Sequence, residues 1–469
     1  MINFVNVGLG GTFEASGDHA TKAAEIDALF QHLHSSGARS LVVHFHGGLV
    51  SESAGVEIAR KMAPVYEAAG AVPLTFVWET GLVETFRDNL LKIHGSGLFQ
   101  KLLKWVLRRV AQRFGGFEGR GAGVPIPMAQ IEVELTKLTP FESYDDPATG
   151  KGAAARGGVA VSEADLDGLK QDLQAEFQQD VDGDDAVITE IDTLASHKPD
   201  AEARGLISGL KTAKMLAAVA YRVIRRHVRG RDHGFYPTVV EELLRELYLA
   251  DLGAWVWGRM KDKAAAMWLS NDGLSGDERR VGSYVLEKIA ALQAMQDDFR
   301  VDLVGHSAGS IAICELLRAA AVRGVTVRVN TIAFLAPAGR SELGVAELVR
   351  HPDRFKHFRC YTMSDVYERK DQLVPKVYTR SLLYFISGVL ESDEVDAPIM
   401  GMIRHASGQG PFQTGAAADW AEFMTAQQRL VLSVSTPGAV AGRRTTSASH
   451  GDFDDDGPTR ESLTELLKV

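Results

Sequence analysis

The stretch VDLVGHSAGSIAI, residues 301–313, sets a serine between two glycines, Gly305-His306-Ser307-Ala308-Gly309. A serine hydroxyl is a weak nucleophile unless a base takes its proton and the backbone presents it. An apolar, β-branched run precedes this serine. Ile311, Cys314, Leu316 and Leu317 follow at helical spacing. Strand, sharp turn and helix are the context in which G-x-S-x-G carries chemistry. The glycines remove side chains that would clash across the turn, and the serine stands above the sheet edge beside a helix N-terminus. A bare match arises by chance in a chain with 46 glycines, so the flanking pattern carries the weight.

A second stretch, His44-Phe45-His46-Gly47-Gly48, ends an early apolar run. His44 and His46 share one strand face as i and i+2, a spacing open to a metal pair. No third ligand is evident, and His46 is expected to order the following loop by hydrogen bonding. Beyond Ser307 lie four histidines, His351, His357, His405 and His450, and the acids Asp365, Glu368 and Asp371.

Together these motifs resemble the α/β-hydrolase superfamily, in particular its esterases and lipases. The resemblance covers roughly 1–85 and 281–469. It implies an oxyanion hole built from the N–H groups of Gly48 and Ala308, with Gly47 and His46 supporting it. Preorganised N–H dipoles there stabilise the negative oxygen of a tetrahedral intermediate. The superfamily order of nucleophile, acid and histidine implies His450 as the base, because it follows the last strand. The acid then follows the strand at 357–363. Asp365 needs the shorter reach and is preferred. Asp371, in KDQLVP, matches the D-x-x-V-P look of many hydrolases and is the alternative, with Glu368 third. The implied chemistry is hydrolysis of carboxylic esters through an acyl-enzyme, with no cofactor and no metal. Thioester cleavage or acyl transfer uses the same machinery. A membrane-associated binding protein with a vestigial site is the rival from another class.

These residues need a frame. Apolar runs at 2–9, 40–48, 72–79, 300–304, 331–338, 357–363 and 428–436 read as strands. Helical patterns at 20–37, 53–70, 282–297, 373–391 and 460–469 alternate with them. The first helix carries Ala24, Ile26, Leu29, Phe30 and Leu33 on one face. The alternation predicts an α/β fold, a mainly parallel sheet flanked by helices. It lapses between about 86 and 280, read as a large helical cap inserted in the core. Loose Gly-, Pro- or Ala-rich stretches at 115–127 and 145–160 interrupt that insertion.

Within the insertion, 98–114 and 210–231 are basic and apolar. The first carries Lys101, Lys104, Arg108, Arg109 and Arg113 beside Leu98, Leu102, Trp105, Val106 and Val110. Such helices either cover an apolar acyl site or touch an anionic membrane. The DFDDDG turn at 452–457 opens like a calcium loop, but Leu463 stands where a bidentate Glu is needed. It is read as a solvated turn.

The chain has 469 residues, 45% of them hydrophobic, and a formal charge of −10. That allows a large core and argues against nucleic acid as a partner. Two cysteines, Cys314 and Cys360, make no disulfide framework and fit a reducing compartment. With no secretory signal and no membrane-length apolar run, the expected location is cytoplasmic.

Overall fold

The computed structural model describes residues 2–15, 17–48, 50–78, 83–117, 127–145, 163–182, 184–196, 208–248, 254–391 and 394–468. Most of the two loose stretches at 115–127 and 145–160 lies outside them. Two compact units emerge. One comprises Met1–Val83, Trp255–Asp371 and Pro398–Val469, and the other Glu84–Ala254 and Gln372–Ala397.

The first unit is built on seven strands: β1 Phe4–Asn6, β2 Ser40–Phe45, β3 Val72–Val77, β4 Arg300–His306, β5 Val329–Leu335, β6 Phe355–Met363 and β7 Leu430–Ser433. Their order is β1-β3-β2-β4-β5-β6-β7, with every neighbouring pair parallel. Helices flank the sheet, and the fold is α/β. All of β2 and β5 is buried, the mark of strands covered on both faces. The shortest strands, β1 and β7, stand at the edges, where unpaired backbone is a liability.

At the centre of this order, between β2 and β4, the direction of the next connection changes. From β2 the chain turns toward β3, and from β4 it turns toward β5. Loops leaving the carboxyl ends of β2 and β4 therefore diverge and open a crevice, the usual position of a site in such sheets. The register pairs Phe45 with Gly305, so His46-Gly47-Gly48 and Ser307-Ala308 emerge side by side. The expected strand at 40–48 ends at Phe45 because its last three residues form this loop. The expected strand at 300–304 runs on to His306.

Two stretches fall differently from the expected division at 85 and 280. Residues 255–280 belong to the sheet unit, where Trp268 packs against Phe45 and Phe76, with ring centroids 5.9 and 5.7 Å apart. Residues 372–397 belong to the second unit. There the Tyr378 hydroxyl donates to Glu241 at 2.5 Å and Tyr236 donates to the Lys376 carbonyl at 2.8 Å. Only Leu382–Phe385 and a wider turn at Ile386–Leu390 are helical in the stretch expected to form one helix at 373–391.

The second unit is helical among its described residues. Helix Gly97–Phe117 buries Leu98, Phe99, Leu102, Leu103, Val106, Leu107, Val110 and Ala111. Four of its basic groups are taken up by acids of the same unit. Lys101 pairs with Asp184, Arg108 with Asp180, Arg109 with Asp180 and Glu176, and Arg113 with Glu176. In helix Gly209–Val228, Arg222 pairs with Glu242 and Glu246, and Arg226 with Glu241 and Glu242. Both helices thus bury their apolar faces and pair part of their basic faces within the unit. No helix among the described residues is long and apolar enough to cross a membrane.

A close backbone approach at the centre of the sheet is made at Gly309. A Cβ there would lie 2.1 Å from the Phe45 carbonyl oxygen, which is backbone and cannot move aside. Gly309→Ala is expected to destabilise the protein by on the order of 2 kcal/mol through forced overpacking. Gly258→Ala, in helix Ala254–Ala266 with nothing within 4 Å of its Cβ, is the control, expected to be neutral or stabilising. Thermal denaturation of the two variants checks this.

Candidate functional site

Ser307 sits between β4 and helix Gly309–Val322 with φ +52°, in the left-handed region that side chains other than glycine seldom occupy. Backbone bonds hold it there. Its N–H donates to Leu335 O at 2.8 Å, and its carbonyl accepts from Ala338 N at 3.0 Å and Ser310 Oγ at 2.7 Å. The flanking glycines are sterically required. A Cβ on Gly305 would meet Gly309 C and Ile313 Cδ1 at 2.8 Å.

The HFHGG loop closes on this turn. A Cβ on Gly47 would lie 3.4 Å from Ser307 Cβ, and one on Gly48 would lie 2.9 Å from Ala308 Cβ and 3.1 Å from Met260 Sδ. Gly48 and Ala308 are therefore neighbours across the crevice. Among the described residues no hydrogen bond takes up the N–H of either. His46 orders the loop. Its Nδ1 donates to the Gly47 carbonyl at 2.6 Å, and its Nε2 accepts from Trp78 N at 3.3 Å. Those two partners fix a neutral ring, and burial drives its pKa down to about 4. His44 engages a different group, Tyr66 OH at 2.7 Å, so the i, i+2 pair does not converge on one point.

His450 is brought to the serine. Its Nε2 lies 2.8 Å from Ser307 Oγ, and both residues are buried, 6% and 4% exposed. The loop before it is pinned to the end of β7. Ser435 N donates to Thr445 O at 2.9 Å, and Ser433 Oγ donates to Ser447 O. Burial pushes the His450 ring pKa down to about 3, and the neighbouring His306 pushes the same way, against a weaker pull from Asp454. The ring is a neutral base. His405, an earlier candidate, instead accepts from Ile399 N at 2.9 Å.

No carboxylate meets the second ring nitrogen of His450 among the described residues. Among the described residues no hydrogen bond joins Asp365 to His450, and His450 Nδ1 has no partner. Asp365 opens the short helix Asp365–Lys370, where a carboxylate suits the exposed N–H groups of the first turn. The carboxylate that reaches His450 is Asp371, whose Oδ2 accepts from the His450 main-chain N–H at 2.8 Å. Glu368 is buried on the same helix and makes no hydrogen bond to His450 among the described residues.

Two participants went unread in the sequence. His306, the residue before Ser307, is buried with Nδ1 2.8 Å from Asp454 Oδ2 and Nε2 3.0 Å from the His450 carbonyl. Burial opposes a charge on it, but the Asp454 carboxylate and the two hydrogen bonds prevail and raise its pKa. Asp454 is buried too, a cost that the His306 charge and hydrogen bond overcome, so its carboxyl is held well below the usual range. The DFDDDG turn is thereby spent internally. Asp454 meets His306, Asp455 pairs with Lys61, and Asp456 caps helix Gly457–Leu467 by accepting from Thr459 N at 3.0 Å. The available signal was a histidine inside the serine motif and a single acid four residues after His450.

Compared with known proteins, the chain matches no family model, no curated protein and no solved structure.

The left-handed turn at Ser307 has a measurable cost. Ser307→Gly should melt higher than Ser307→Ala by about 1 kcal/mol of stability, because glycine alone adopts that backbone without strain. Equal melting of the two would show that the turn is unstrained.

Proposed function

We propose that this chain is a serine hydrolase of the α/β-hydrolase kind that cleaves carboxylic esters. The observation that carries the reading is the 2.8 Å contact between Ser307 Oγ and a neutral, buried His450 Nε2 on a left-handed strand-to-helix turn. Hydrogen-bond reach between nucleophile and base is the geometry such catalysis requires.

In this mechanism Ser307 Oγ attacks the acyl carbon and its proton passes to His450 Nε2. The carbonyl oxygen takes the negative charge and is met by the N–H groups of Gly48 and Ala308. Collapse of the intermediate breaks the ester bond, and His450 returns the proton to the departing alkoxide. Water then repeats the sequence on the acyl-enzyme, with His450 again as base, and frees the acid and Ser307. Asp371, bound to the His450 amide, is the acid of this triad.

The pairing of Lys101, Arg108, Arg109 and Arg113 with acids of their own unit weakens the case for an anionic membrane as partner. The substrate class rests on the crevice itself. Met260 beside Gly48 favours an uncharged, apolar acyl group.

Turnover of p-nitrophenyl esters of graded acyl length tests the reading. Ser307→Ala and His450→Ala should each lose on the order of a thousandfold or more in kcat, with circular dichroism unchanged. Hydrolysis by Ser307→Ala near the wild-type rate would overturn the nucleophile. Asp371→Asn is expected to cost roughly ten- to a thousandfold and Asp365→Asn only a few-fold, since only Asp371 is bonded to the base. The opposite ranking would return the acid to Asp365.

A further inference from the structure

We propose that His306 and Asp454 are a positioning pair, which holds His450 against Ser307 and keeps it unprotonated in acid solution. The proposal rests on the hydrolase reading above and assigns new roles to two residues within it.

The hydrogen bonds define the state of His306. A main-chain carbonyl can only accept, so His306 Nε2 must donate to His450 O at 3.0 Å. A carboxylate also accepts, so Nδ1 donates to Asp454 Oδ2 at 2.8 Å. A ring that donates from both nitrogens is an imidazolium. Its position makes it a junction. It is covalently next to Ser307, its Nδ1 is 3.8 Å from where a Gly47 side chain would begin, and it grips the main chain of the proposed base. One side chain thus ties the nucleophile turn, the loop of the proposed oxyanion hole and the histidine loop together.

The groups facing it come from three elements. The segment after β7 supplies Asp454, His450 and, at longer range, Asp455, which is held by Lys61. From β2 and the loop beyond it come His44 and His46, both kept neutral by burial. Helix Glu52–Ala68 supplies Tyr66, hydrogen-bonded to His44. Phe453 lies alongside, its ring centroid 6.4 Å away. Among these, the one cation facing His450 is His306 itself, with ring centroids 5.6 Å apart. A second positive charge on His450 is therefore disfavoured at rest. A base that stays free well below pH 6.5 keeps its function in mild acid.

The sign of the stability term follows from the raised His306 pKa. The contribution of the pair is fully present below the unfolded value of 6.5 and is lost as pH rises through the higher folded value. Activity that depends on the clamp should fall on that same alkaline side.

The test uses the full chain in two independent measurements. Histidine-selective nitrogen NMR, assigned with His306→Gln and His450→Gln, should show His306 carrying both ring protons at pH 7 and His450 neutral. The pH profile of kcat/KM on a p-nitrophenyl ester should then separate two variants. His306→Gln keeps a donor but no charge. It should lose roughly ten- to a hundredfold in kcat from imperfect placement, with the acid limb moved up by about one pH unit. Asp454→Asn removes the anion that stabilises the imidazolium, so its alkaline limb should move down. A neutral His306 in the NMR titration, or an acid limb unmoved in His306→Gln, would overturn the pair. Absence of ester turnover by the wild type would instead strike the hydrolase reading, while the NMR result still decides the state of the pair.

Discussion

The site depends on one close approach, that of Gly309 to the Phe45 carbonyl at the centre of the sheet. Strands β2 and β4 are neighbours, and the chain leaves them in opposite directions. Their loops can meet only if nothing intervenes at the first turn of the helix after β4. With no side chain at Gly305 or Gly309, the helix seats directly on the strand ends, and Ser307 is driven into a left-handed turn. The same seating brings Ala308 against Gly48 and Ser307 against Gly47. Strain at one residue is thus held by packing around it, a common condition of functional turns.

Electrostatics adds a second layer. Burial holds down the pKa of His44, His46 and His450, whereas at His306 and Asp454 their mutual charge and hydrogen bond outweigh burial and raise the first and lower the second. An isolated buried charge is costly, and here His306 donates to Asp454 Oδ2 and to the His450 carbonyl, while Asp454 Oδ1 has no hydrogen-bond partner among the described residues. The arrangement sorts histidines of one type into different tasks by their partners alone. His46 braces a loop, His306 clamps, and His450 faces the serine hydroxyl.

Much of this was legible in the sequence because it depended on local pattern. The strands showed as buried apolar runs, the serine turn as a strand–Gly–helix passage, and His450 by its order after the last strand. What escaped was set by contacts remote in sequence. Asp365 and Asp371 both follow β6, and the bond that joins Asp371 to the His450 main chain spans 79 residues, which no spacing rule reveals. The basic residues of 98–114 looked free for a membrane because their acids lie 63 to 83 positions away. Residues 372–397 follow the sheet in order but pack in the second unit, since Tyr378 satisfies a buried carboxylate there. His306 shows no role within its motif, because its partner Asp454 stands 148 residues on.

The central claim is that Ser307 is a nucleophile activated by His450. Reaction of the native protein with a fluorophosphonate, followed by mass spectrometry of its peptides, tests this most directly. The account predicts a single adduct on the peptide that carries Ser307, formed quickly in the wild type and far more slowly in His450→Gln. Adduct formation at another residue, or labelling of Ser307 at the same rate with and without His450, would contradict it.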